Sequence, residues 1–84
     1  MQFKTANTFL NEYGKELIEI RHEKGYLGNF INSSVGLSII VFYNEEIKTH
    51  AEALCNGNVI DKKRDGLRDY FGFILEIKEY IIVD

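Results

Sequence analysis

Proline and tryptophan are absent from this chain, and cysteine occurs once. The lone Cys55 excludes an internal disulfide, whereas small secreted domains usually carry several cysteine pairs. No apolar run approaches the roughly eighteen residues of a membrane span. The N-terminus lacks a charged region followed by an apolar one, so no signal peptide is expected. These absences point to a soluble, cytoplasmic protein with no membrane contact. They also make the Asn32-Ser33-Ser34 glycosylation sequon a chance match.

Charge of one sign is scarce as well. The net charge is −3, which argues against a dedicated nucleic-acid binder. Residues 1–43 balance at zero, residues 44–58 carry −2, residues 59–70 carry +1 and residues 71–84 carry −2. This is far from the dense acidic surface of a DNA mimic. There is no Walker loop, no GxGxxG, no paired-cysteine metal knuckle and no Gly-x-Ser-x-Gly elbow.

What is present is a core. The 84 residues make one domain, 1–84, and are 45% hydrophobic, too apolar for disorder. A chain this short buries only about 60% of its unfolded surface, so its stability margin is thin. Its organising stretch is Gly36–Tyr43, eight residues rich in β-branched and aromatic side chains. Its length and composition suit a strand buried on both faces.

Around that strand the spacing predicts a small α+β domain. Residues 5–13 read as a helix, with Phe9, Leu10 and Tyr13 on one face and Gly14 ending it. Glu16–Glu23 alternates as a strand, with Ile18, Ile20 and His22 toward the core. Tyr26–Ile31 is expected to return as a second strand, giving a three-stranded antiparallel meander with Gly36–Tyr43. Asn44–Asn58 reads as a helix capped by Asn44, with Ile47, Ala51, Leu54 and Cys55 on one face. The rival reading is a hairpin turning at Asn56-Gly57 and returning through Val59-Ile60. Leu67, Tyr70, Phe71, Ile74 and Leu75 repeat at helical spacing behind a cap at Asp65, although Phe73, Leu75 and Ile77 also alternate. Tyr80–Val83 is expected as a final strand beside Gly36–Tyr43. The expected architecture is a mainly antiparallel sheet of three to four strands with two to three helices on one face.

The α-β-β-β-α order over residues 9–55 is similar to that of a double-stranded RNA-binding domain. That family reads RNA with a lysine pair at the start of its second helix, where this chain has Asn44-Glu45-Glu46. The likeness is therefore one of element order.

Chemistry-bearing residues are few. His22 reads as a partly buried, hydrogen-bonded histidine. His50 lies four residues after Glu46, which suits a helix-surface ion pair, and a zinc site would need further ligands. Cys55 lacks a neighbouring base in sequence and reads as a buried thiol. Lys62-Lys63-Arg64 is the single basic run, bracketed by Asp61 and Asp65, which cut its field. No cofactor or metal is expected.

A small, mildly acidic domain without a catalytic set is expected to act by occupying a larger protein's surface rather than by catalysis. An inhibitor or regulator fits: by class analogy a phage counter-defence protein of the anti-CRISPR kind, or an immunity or antitoxin protein. The Ile-, Asn-, Lys- and Glu-rich composition suits the AT-rich genomes of many bacteria and phages. Tyrosine and arginine make interface anchors, so Tyr26, Arg68, Tyr70 and Tyr80 are the expected contact residues. Three alternatives stand beside this: a nucleic-acid-binding regulator using Lys62, Lys63, Arg64 and Arg68; a small enzyme or metal protein using His22 and His50; and a homodimer paired through the apolar Tyr80–Val83 edge.

Overall fold

The apolar stretch forms a strand at the centre of a five-stranded sheet. The structure, a computed structural model, describes residues 3–61 and 66–84. In chain order the elements are α1 (Phe3–Asn11), β1 (Glu16–Tyr26), α2 (Leu27–Ile31), β2 (Leu37–Asn44), β3 (Lys48–Cys55), β4 (Asn58–Val59), a 3-10 helix (Leu67–Tyr70) and β5 (Ile74–Val83). The spatial order is β1-β5-β2-β3-β4, and every pairing is antiparallel. The protein is α+β as expected, with five strands instead of three to four.

Gly14 ends α1 as its sequence position suggests. It sits at φ +72, its N–H reaches the Asn11 carbonyl at 3.1 Å, and the Lys15 N–H reaches Leu10 at 2.9 Å. That pair of bonds is a Schellman motif, which satisfies two carbonyls that the helix end would leave open. α1 then leans on β1, where the Asn7 carboxamide accepts the Leu17 N–H at 3.3 Å.

Four expectations are corrected. Residues 27–31 form a short helix and not a strand. Leu27, Phe30 and Ile31 fall at i, i+3 and i+4 and are all buried in the core. The meander is replaced by a sheet in which β5 inserts between β1 and β2. Residues 44–58 are strands, with the Asn56-Gly57 hairpin that was the rival reading. Residues 67–75 do not continue as one helix: Leu67–Tyr70 makes a single 3-10 turn, and Ile74 begins the last strand. The expected cap Asp65 lies outside the described residues.

Turn chemistry explains the second hairpin and the first. Asn44 caps a bend instead of a helix, accepting the N–H groups of Glu46 and Ile47 at 3.0 and 2.8 Å. Lys48 closes that bend at φ 60. Asn56 and Gly57 both have positive φ, 51 and 77, the geometry of a two-residue hairpin turn. A side chain at Gly57 would also collide with α2, because a Cβ there would lie 2.6 Å from the Ile31 carbonyl.

The core lies on one face of the sheet. Ile40 and Phe42 of β2, Leu54 of β3, and Leu75 and Ile77 of β5 meet Leu27, Phe30 and Ile31 of α2 and Leu67 of the 3-10 helix. At roughly 25 cal/mol per Å² of apolar area removed from water, such side chains supply most of the folding drive. β5 sits beside β2 as expected, with Tyr80 opposite Ile39.

Candidate functional site

Because side chains alternate along a strand, β2 carries a second apolar row opposite the core. Ile40 and Phe42 point into the core, and Leu37, Ile39, Val41 and Tyr43 line the other face. A sheet covered on one side normally shows polar residues on its wet face. Here Leu37 is 61% exposed, Tyr43 44% and Ile74 54%. Ile39, on the same face, is buried, as is Leu17 at the end near α1.

The register builds a hollow at the middle of this face. Val41 lies between Lys78 on β5 and Ala51 on β3. Tyr43 lies between Glu76 and Thr49, and Tyr80 stands beside Ile39. The result is an open hollow of about 250 Å³, with Val41 on its lining and Tyr43, Tyr80 and Lys78 around it.

Polar contacts order the rim. His22 Nε2 lies 2.8 Å from Glu76 Oε1, and Lys78 Nζ lies 3.9 Å from Glu19 Oε1. The Tyr80 hydroxyl donates to Glu19 at 3.4 Å. Its pKa is raised above the usual tyrosine value, first by burial, then by the Glu19 charge and hydrogen bond. The rim therefore presents both signs of charge around a neutral, aromatic-walled centre.

His22 is exposed on this open face and not turned toward the core. The reason is a β-bulge. Glu19 pairs with Tyr80 and Arg21 pairs with Glu79, so Ile20 is the extra residue. One inserted residue flips the alternation beyond it. Arg21 thereby turns inward, and His22 turns out.

Arg21 anchors a buried polar cluster. Its Nη2 lies 3.1 Å from Glu79 Oε1 and donates to the Phe30 carbonyl at 2.8 Å and to Ser34 Oγ at 3.1 Å. Its Nη1 donates to Ser33 Oγ, and the guanidinium lies 3.5 Å over the Phe30 ring. These bonds tie the end of α2 to β1 and β5. Three strands from β1, His50 Nε2 lies 3.1 Å from Glu52 Oε1, and the imidazole packs near Phe42 and Tyr70 at 5.1 and 5.9 Å between ring centroids. Both arrangements hold the fold together. The expected His50–Glu46 pairing gives way to His50–Glu52 because the segment is a strand, where i and i+2 share a face.

The expected contact residues separate into two groups. Tyr26 and Tyr80 lie on the open face, with Tyr26 opposite Ile74 at its edge. Tyr70 packs on the core side against Phe42 and Phe73. Arg68 is exposed on the 3-10 helix, on that same side. Cys55 is exposed and not buried. Lys62, Lys63 and Arg64 lie outside the described residues. Among the described residues no three His, Cys, Asp or Glu side chains converge on a metal position, and no helix is long and apolar enough to cross a membrane.

Tyr43, Val41, Leu37, Ile74 and Ile82 were not foreseen as surface. The signal lay in β2 itself, which is apolar at both odd and even positions, while the described residues outside the sheet supply a large apolar layer for one face only. No protein-family model, curated protein or solved structure matches this chain.

Proposed function

We propose that the chain is a protein-binding module that acts as an inhibitor or regulator by laying the open face of its sheet on a larger protein. The observation that carries this reading is β2. Its sequence is that of a strand buried on both faces, and one of those faces is still partly exposed. Apolar surface of this kind, rimmed by polar residues, marks interaction sites. The hollow walled by Tyr43 and Tyr80 suits one large apolar or aromatic side chain of the partner. The paired charges at its rim would set orientation more than affinity.

The test is a paired set of variants. Val41→Glu and Tyr43→Ala, checked for folding by circular dichroism, are compared with Arg68→Gln on the opposite side. A stoichiometric protein partner retained by the wild type and Arg68→Gln, and lost by both open-face variants, is the expected result. Retention of the partner by Val41→Glu and Tyr43→Ala would sink the assignment. A dimer in sedimentation analysis that dissociates in Val41→Glu would replace the larger target with a second copy.

A further inference from the structure

The turn between β3 and β4 carries a self-reactive dipeptide. Of the seven asparagines in the chain, only Asn56 is followed by glycine. Asparagine before glycine is prone to lose its side-chain amide. The backbone nitrogen of the next residue attacks the side-chain carbonyl, and glycine has no side chain to obstruct that approach. Asn56 is exposed, so water and hydroxide reach it. Residue types alone therefore make this the place where the chain should react with itself.

The fold holds these atoms out of reaction. Asn56 and Gly57 have φ 51 and 77. In that left-handed region ψ is positive as well, which places the Asn56 Cβ nearly opposite the Gly57 nitrogen across the Cα–C bond. Ring closure needs the two eclipsed, so the turn must open first. Contacts from two other elements keep it shut. Gly36, just before β2, is bonded to Asn56 twice: its N–H donates to Oδ1 at 2.7 Å, and its carbonyl accepts the Asn56 N–H at 2.9 Å. Gly57 lies so close to α2 that a Cβ there would stand 2.6 Å from the Ile31 carbonyl. The Gly36 N–H also polarises the Asn56 side-chain carbonyl, but polarisation without approach does not advance the reaction.

We propose that Asn56 is a self-modification site gated by this turn. When the corner opens, the Gly57 nitrogen gives up its proton and bonds to Asn56 Cγ. The Cγ–Nδ2 bond breaks, and ammonia leaves with the proton. Water then opens the five-membered imide at either carbonyl, giving aspartate or isoaspartate. The sequence needs no oxidant and no cofactor. Aspartate still offers an oxygen to the Gly36 N–H. Isoaspartate routes the main chain through Cβ and so lengthens a two-residue turn that sets Leu54 opposite Val59 and Cys55 opposite Asn58. A molecule whose corner has opened is thereby marked. The site stands or falls independently of the protein-binding reading.

The experiment is incubation of the whole chain in mildly alkaline buffer, folded and in concentrated urea, read by peptide mass spectrometry with separation of isoaspartyl peptides. In urea, Asn56 should convert faster than any other asparagine. In the folded protein its conversion should be slower by about tenfold or more, because reaction waits on local opening. Gly36→Ala and Gly14→Ala form a matched pair. Both glycines have φ 72 and open space around them, so the two substitutions carry the same backbone penalty. Gly36→Ala should speed conversion in the folded protein about fivefold, and Gly14→Ala should leave it unchanged. Another asparagine leading in urea, or equal rates in the folded and unfolded chain, would overturn the proposal. So would equal acceleration by the two variants, or none from Gly36→Ala.

Discussion

Arg21 stands where a single inserted residue decides what is inside. The bulge at Ile20 brings its guanidinium over the core face, onto a Glu79 carboxylate that is only 3% exposed. A buried carboxylate left without its cation is costly. Arg21→Ala should therefore lower the unfolding free energy by about 3 kcal/mol in urea titration. The double variant Arg21→Met with Glu79→Leu should recover most of that loss, since well-packed apolar pairs often equal buried ion pairs. Tyr80 gives a pH signature. Its folded pKa lies above the unfolded value of 10.0. The neutral hydroxyl is thus favoured in the fold, and its contribution is complete below the unfolded value and lost as pH rises through the folded one. Tyr80→Phe should flatten the alkaline limb of stability as pH rises above the unfolded tyrosine value of 10.0, read by chemical denaturation at each pH.

The elements show which local signals outrank others. Gly57→Ala should cost about 2 kcal/mol or more, because a positive φ and a collision with Ile31 act together. Gly14→Ala has the same sign of φ and open space around it, so it should cost only about 1 kcal/mol. Thermal unfolding of the two variants side by side checks that order. Much of the fold was legible in these terms. The Gly14 stop, the β1 start at Glu16, the β2 strand and its pairing with the last strand all follow from local residue types. The segment after Asn44 was not, because Asn44 serves an Asx bend and a helix cap with the same side-chain oxygen. Ala51, Leu54 and Cys55 also keep helical spacing by accident, and only the pairing of β3 with β2 overrides it. The bulge left no mark in the alternation of Ile18, Ile20 and His22, so the inward turn of Arg21 was invisible. Of the candidate surface, Tyr26 and Tyr80 could be named because tyrosine is an interface residue. Tyr43 and Val41 could not, since a strand apolar on both sides looks the same whether its second face is covered or open.

At the scale of the molecule, β1 is held almost wholly by β5, from Glu16 opposite Val83 to Tyr26 opposite Ile74. β5 also holds β2 on its other side. A chain shortened to residues 1–73 should therefore lose the cooperative unfolding transition altogether, as seen by calorimetry, instead of losing a fraction of its stability. Folding should also be slow for the chain's size, since such pairings close loops of up to the full chain length.

The central place of β5 has a further meaning during synthesis. A polypeptide leaves the ribosome from its N-terminus, so β1 and β2 emerge with their inner edges unfilled and with apolar side chains awaiting a neighbour. Among the described residues, β5 is the strand that fills both edges. A chain that stops before β5 can still pair β2 with β3 and β3 with β4, but it leaves β1 with no strand beside it.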